Sequence, residues 1–211
     1  MMVRLPLFST MNLPHLRRLG ASSGLVLASG SPRRRSILRE AGVAFEIAVP
    51  DCDEEIIPDL TPADLAVRLA YHKVLSVPRD SVRAYLGCDT IVVYDDTVLN
   101  KPADAADALR MLRLLSGRWH SVFTGLALCD SRKNLFFKTV EESRVRFNPL
   151  SDEQLISYIA TGEPLDKAGA YGIQGMGGIL VDSVEGNIDN VVGLPIAALE
   201  RLAEQYWDNY A

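Results

Sequence analysis

The stretch Leu25-Val26-Leu27-Ala28-Ser29-Gly30-Ser31-Pro32-Arg33-Arg34-Arg35 reads as a strand, a tight turn and a helix start in immediate succession. Leu25 to Ala28 is a short apolar run of the kind that forms a buried strand. Ser31 followed by Pro32 places an N-cap hydroxyl before a proline at the first helical position. The helix continues through Ile37 and Leu38, and Gly42 stops it. Three arginines crowd the first turn, where the helix dipole is already positive and cations are unfavourable. An anion bound at that end would offset the conflict. Free backbone N–H groups, the hydroxyls of Ser29 and Ser31, and the forks of Arg33 and Arg34 together describe a polyphosphate cradle. An ordinary capped helix with solvated arginines explains Ser31 and Pro32 but not the clustering of charge.

Outward from this stretch, strands and helices alternate. Phe45 to Val49 alternates like a strand, and the acidic run Asp51-Cys52-Asp53-Glu54-Glu55 follows Pro50. Such a run is either a solvated loop or a cluster that faces a cation. Thr61-Pro62 repeats the cap-and-proline signal and opens a helix with Leu65, Leu69 and Leu75 on one side. Lys73 lies in its last turns, where it complements the C-terminal dipole. Tyr85 to Tyr94 is the next strand. Asp89 sits inside its apolar run, and burial there is costly without a hydrogen bond or a cation. Buried carboxylates of this kind cluster at working sites, which favours a functional Asp89 over a turn-holding one.

Asp95-Asp96 is a turn, Val98-Leu99 a returning strand, and Lys101 stands beside Pro102 just after it. Asp104 to Leu115 reads as a helix. Trp119 to Cys129 and Leu135 to Phe147 read as an antiparallel pair around Asp130 to Asn134. His120, on the first of these strands, reads as a packed or hydrogen-bonded residue. Ser151 and Gln154 form a capping box before a helix with Leu155, Ile156 and Ile159 inward. The long segment Glu163 to Gly175 is rich in glycine and aromatic for a loop. Its glycines permit close approach to a ligand or unusual torsions. Ile179 to Val184 reads as a strand, and Pro195 starts the last helix. Alternating elements with an inserted antiparallel pair predict an α/β domain with a mixed β-sheet and flanking helices.

The chain has 211 residues and a net charge of −5. That length suits one domain with a real core over residues 25–211. The charge argues against bulk attraction to nucleic acid, so any phosphate site is local. Cys52, Cys88 and Cys129 have no metal-like spacing and suit reduced thiols in the cytoplasm. No run is long enough to span a membrane. Residues 1–24 hold Arg4, Arg17 and Arg18 and no acid, and read as a leader outside the core. A disordered leader, an alternative start and a transit peptide all fit that composition.

Ser29-Gly30-Ser31-Pro32-Arg33-Arg34 resembles the opening motif of the Maf (septum formation) family of nucleotide pyrophosphatases. Further motifs fall in the family's order: Asp53-Glu54, Lys73, Gly87-Cys88-Asp89-Thr90, Lys101-Pro102, Ser116-Gly117-Arg118, His120 to Gly125, and Asp166 to Gly175. Cys88 stands where alanine is usual and Asn100 where glycine is common; neither removes a functional group. The resemblance implies a fold similar to the inosine triphosphate pyrophosphatases, with two lobes around a cleft, and a homodimer. It implies hydrolysis of nucleoside triphosphates to monophosphate and pyrophosphate with a divalent cation, Mg²⁺ or Mn²⁺. It makes Asp89 the proton acceptor, with Glu54 and Asp89 as candidate metal holders. Phosphates fall to Ser29, Ser31, Arg33, Arg34, Lys73 and Lys101. Arg33, Thr90 and Gln174 are the specificity residues.

The segment ending Tyr171-Gly172-Ile173-Gln174-Gly175 looks like the branch acting on dTTP and UTP, with modified pyrimidine nucleotides as further substrates. The alternatives are the branch acting on 7-methyl-GTP and a non-catalytic nucleotide-binding regulator of septation. The family's name comes from blocked septation on overproduction, which links it to arrest of cell division.

Overall fold

The computed structural model describes residues 8–52, 60–80 and 83–209. The strands are β1 (Leu25–Ala28), β2 (Glu46–Ala48), β3 (Ala84–Tyr94), β4 (Thr97–Leu99), β5 (Trp119–Asp130), β6 (Leu135–Phe147) and β7 (Val181–Glu185). Among the described residues they form a sheet of order β2-β1-β3-β5-β6-β7, with β4 on β3. β1 runs parallel to both β2 and β3, whereas β4 is antiparallel to β3 and β7 antiparallel to β6. This is the mixed sheet expected from the alternation of elements. The α-helices are α1 (Pro14–Ser23), α2 (Pro32–Glu40), α3 (Pro62–Leu75), α4 (Ala105–Leu115), α5 (Asp152–Ile159), α6 (Ile188–Val192) and α7 (Ile196–Asp208).

The chain divides into two compact units, and the division falls inside β3, β5 and β6. The first unit takes Pro6–Asp89, Thr124–Glu141 and Gly193–Ala211. Its core sets Ala70, Val74 and Val77, from α3 and just beyond it, against Val26 and Ala28 of β1, Tyr85 of β3, and Ala127 and Cys129 of β5. Two glycines explain how closely α3 lies on the strands. A Cβ at Gly87 would stand 2.1 Å from the Ala70 carbonyl oxygen, and one at Gly125 would stand 2.1 Å from that of Ala66. Any side chain at either position would push the helix off the sheet.

Residues 8–23 depart from the expectation of a leader outside the core. Phe8, Leu13, Leu16 and Leu19 are all buried, and α1 packs on α7. The Glu200 carboxylate accepts the backbone N–H groups of His15 (3.0 Å) and Leu16 (2.9 Å), two of the orphan donors of the α1 N-terminus. The Arg18 guanidinium lies 4.0 Å from the Trp207 ring centroid. Leucines at intervals of three supply the apolar stripe, so this segment docks as an amphipathic helix.

The second unit takes Thr90–Phe123 and Glu142–Val192. In α5 the capping box is present, with Ser151 and Gln154 each bonding the other's backbone N–H. The helix is rotated from the expected facing: Leu155 and Tyr158 are buried, while Ile156 is 54% exposed. The segment expected as a long loop folds into short 3₁₀ turns, Glu163–Asp166 and Ala168–Ala170. Between β7 and α7 lies the short helix α6.

Candidate active site

In the first unit, the turn between β1 and α2 closes as its sequence dictates. Ser31 Oγ accepts the Arg34 N–H, and Ser29 Oγ accepts the Ser31 N–H at 3.2 Å. The Arg34 side chain is buried. Its Nη1 donates to Ser29 Oγ (3.1 Å) and its Nε to the Gly193 carbonyl (2.8 Å). Arg35 folds back instead, its Nη2 donating to the Gly30 carbonyl at 3.0 Å. Arg33 is half-buried in the first turn of α2. The crowded arginines therefore have different tasks. Arg34 is locked as part of the turn, and Arg35 braces the turn's own carbonyls. The Gly193 carbonyl fixes Arg34, a contact that the local sequence does not signal.

Gly87 and Asp89 are two residues apart on β3 and share a face. Because Gly87 receives the α3 backbone at Ala70, Lys73, one helical turn further along, reaches Asp89. Lys73 Nζ and the Asp89 carboxylate form a hydrogen-bonded ion pair, with both side chains about nine-tenths buried. A buried ion pair of this kind offsets two desolvation penalties and is weak evidence for stability alone. Lys73 is thus the partner of Asp89, beyond any service to the helix dipole. Cys88, between Gly87 and Asp89, reports on the surroundings. Burial pushes its thiol up to about 11, Arg34 and Lys73 oppose the rise, and Asp89 adds to it. The arginine of the turn and both members of the pair therefore lie within electrostatic reach of one side chain.

In the second unit, Thr90 is half-buried on β3, Lys101 is exposed after β4, and Gln174 is exposed. The Gly169 N–H donates to the Asn100 carbonyl (3.2 Å), so the backbone beside Lys101 is tied to the glycine-rich segment. Gly169 has φ +67°, and a Cβ there would meet Val92 of β3 at 2.9 Å. His120 is buried and shares a 2.8 Å hydrogen bond between Nε2 and the Tyr171 hydroxyl, with Phe147 edge-on to both rings. Burial lowers its pKa to about 3, and burial raises that of Tyr171. A packed, hydrogen-bonded histidine is what the sequence indicated.

Glu54, with Asp53 and Glu55, lies outside the described residues. Among the described residues no three or more His, Cys, Asp or Glu side chains gather as a metal group. Mg²⁺ takes one or two carboxylates and fills its shell from water and phosphate oxygens. Asp89 with a triphosphate fits such an ion; a cage made by protein alone does not fit the described residues.

A mixed α/β sheet, a capped arginine turn and a buried lysine–aspartate pair describe the site without singling out one protein. Sequence comparison narrows the choice. The model of the family described as Maf-like protein matches residues 24–206, and the chain belongs to that family. It is 48% identical over 182 residues to a dTTP/UTP pyrophosphatase of Bacillus cytotoxicus, covering 86% of this chain and 94% of that protein. It is 47% identical to one of Geobacter metallireducens, covering 83% and 92%, and 50% identical to one of Symbiobacterium thermophilum, covering 86% and 93%. Among solved structures, a HAM1 protein from Coxiella burnetii is 17% identical and covers 86% of this chain and 98% of that chain, with a TM-score of 0.42. That overlap is partial, and the fold rests on the strand order above.

Proposed function

We propose that this chain hydrolyses dTTP and UTP at the α–β phosphoanhydride, releasing nucleoside monophosphate and pyrophosphate. The carrying observation is the buried Lys73–Asp89 pair, set by the Gly87 contact, in a chain close in sequence to enzymes so named. Water adds to the α-phosphorus and its proton passes to the Asp89 carboxylate. The α–β bridging oxygen departs with the pyrophosphate. General-base assistance of this type contributes about 10²–10⁴-fold.

The substrate brings roughly four negative charges, which the site must meet with cations. Arg33 and Arg34 supply planar forks, and Lys73 and Lys101 point charges. Ser29 and Ser31 hold the turn. Glu54 and Asp89 are the residues we assign to Mg²⁺ or Mn²⁺, which when bound would neutralise charge on the phosphates. Arg33, Thr90 and Gln174 select the base. A Gln174 amide can both donate to and accept from a pyrimidine edge. The family likeness supports a homodimer, action on modified pyrimidine nucleotides in the cytoplasm, and the link with arrest of division. Among the described residues no helix is long and apolar enough to cross a membrane.

The test is a panel of UTP, dTTP, CTP, GTP and 7-methyl-GTP with Mg²⁺, read as kcat/KM with monophosphate and pyrophosphate separated. UTP and dTTP should lead, and a preference for 7-methyl-GTP would contradict the assignment. Gln174→Ala should shrink the pyrimidine advantage by about 1–3 kcal/mol, the cost of unsatisfied polar groups. An equal loss on every nucleotide would make Gln174 only a brace.

A further inference from the structure

The glycines on either side of Gln174 approach side chains of this chain. The Glu163 carboxylate accepts three hydrogen bonds: from the Met176 N–H at 2.9 Å, from the Gly177 N–H at 3.1 Å, and from the Tyr158 hydroxyl at 2.9 Å. The Tyr158 oxygen in turn accepts the Gly172 N–H at 3.1 Å. The backbone is therefore gripped two residues before Gln174 and two residues after it. A Cβ at Gly175 would stand 2.3 Å from Glu163 Oε2, and one at Gly177 would stand 2.5 Å from the Tyr158 hydroxyl. The glycines let the segment close around this carboxylate. Tyr158 is 3% exposed, which explains why α5 turns it inward in place of Ile156.

We propose that Glu163 and Tyr158 are positioning residues for base selection, holding Gly172 to Gly177 so that the Gln174 amide is presented in one arrangement. The proposal rests on the reading of Gln174 as the residue that selects the base. A flexible glycine-rich segment would let that amide adapt to several bases, whereas a segment held from both sides cannot. Selectivity by hydrogen bonding needs this stiffness, because the wrong base is rejected only if the amide cannot move to meet it. Burial raises the pKa of Glu163, but the N–H groups of Met176 and Gly177, the Tyr158 hydroxyl and Lys167 outweigh burial, and the net shift is downward. The grip is thus exerted by a carboxylate anion at neutral pH.

Glu163→Gln retains the shape but offers one oxygen and one NH₂ to three donors, so at least one N–H faces another donor. Tyr158→Phe breaks the relay to Gly172 and serves as the second variant should the first fail to fold. For each folded variant, kcat/KM is measured on UTP and GTP, alone and combined with Gln174→Ala. The expected result is that either substitution reduces the UTP-to-GTP ratio by about tenfold, the range for a hydrogen bond to a charged group, while GTP turnover changes by less than about twofold. In the Gln174→Ala background neither should reduce the ratio further, because the groups act through that amide. An equal loss on both nucleotides overturns the proposal, as does a ratio change that adds in full to that of Gln174→Ala. If Gln174→Ala collapses the ratio and neither variant touches it, the positioning role alone fails. If Gln174→Ala leaves the ratio intact, base reading by Gln174 fails and this inference falls with it.

Discussion

Two carboxylates, Asp89 on β3 of the first unit and Glu163 before the glycine-rich segment of the second, are held in opposite ways. Asp89 is buried and ion-paired with the ammonium of Lys73. Glu163 is half-buried and answered by two backbone N–H groups and a phenol. Backbone donors are fixed by the fold and take no part in proton transfer, so the second arrangement is a brace. An ammonium on a long side chain has rotatable donors and full charge, so it can be redirected when phosphates arrive. A carboxylate whose partner can be shared is suited to chemistry. One held mainly by backbone N–H groups is suited to shape.

The largest expected effects break the first arrangement. Lys73→Met leaves Asp89 buried without its cation and should destabilise the protein by about 3–5 kcal/mol, read by denaturant unfolding. Asp89→Asn leaves the Lys73 ammonium buried without its carboxylate, so a comparable loss is expected in the same test. In the folded variant turnover should drop by about 10²-fold or more, with nucleotide binding largely kept. Near wild-type turnover in the folded variant would remove Asp89 from the role of base.

Next in size is the arginine turn. Arg34→Ala removes a buried guanidinium that donates to Ser29 and Gly193. Binding of every triphosphate should weaken by roughly tenfold or more, because a hydrogen bond to a charged group is worth about 1.5–3 kcal/mol and phosphates are common to all bases. A loss confined to one base would assign Arg34 to the nucleobase.

The smallest effect concerns pH. His120 titrates near 6.5 when unfolded and, buried, near 3 in the fold. Below about pH 6.5 the unfolded chain takes up a proton that the folded chain does not. Stability is therefore fully present above 6.5 and falls as the pH drops towards 3, by at most about 1.4 kcal/mol per pH unit. His120→Gln should remove that share of the slope in unfolding measured from pH 7 to pH 5. An unchanged slope would show that His120 is protonated in the fold.

How far these features were legible depends on whether their cause is local. The turn at Ser29 to Pro32, the Thr61 cap and the Ser151 capping box are local chemistry, and each forms as written. Asp89 stood out because a charge inside an apolar run has no bland explanation. Its partner did not, since Lys73 near a helix end already has one. Joining them needs the knowledge that Gly87 seats the α3 backbone on β3, a tertiary fact with no signature beyond one glycine in a strand. Ile156, being apolar, reads as part of the inward face of α5. Tyr158 displaced it because its hydroxyl serves Glu163 and Gly172, and that demand comes from the next segment. At residues 8–23 composition drew attention to arginines without acids, while Leu13, Leu16 and Leu19 carry the stripe that docks on α7.

The most direct test of the central claim is hydrolysis of UTP in ¹⁸O-labelled water with the intact chain and Mg²⁺, followed by mass analysis of both products. UMP and pyrophosphate should appear together from the first time points, with the label in UMP and none in pyrophosphate. Attack of water on the α-phosphorus and departure of the α–β bridging oxygen require that pattern. Appearance of UDP with labelled orthophosphate would contradict it and would mean that the chain cleaves at the terminal phosphate instead.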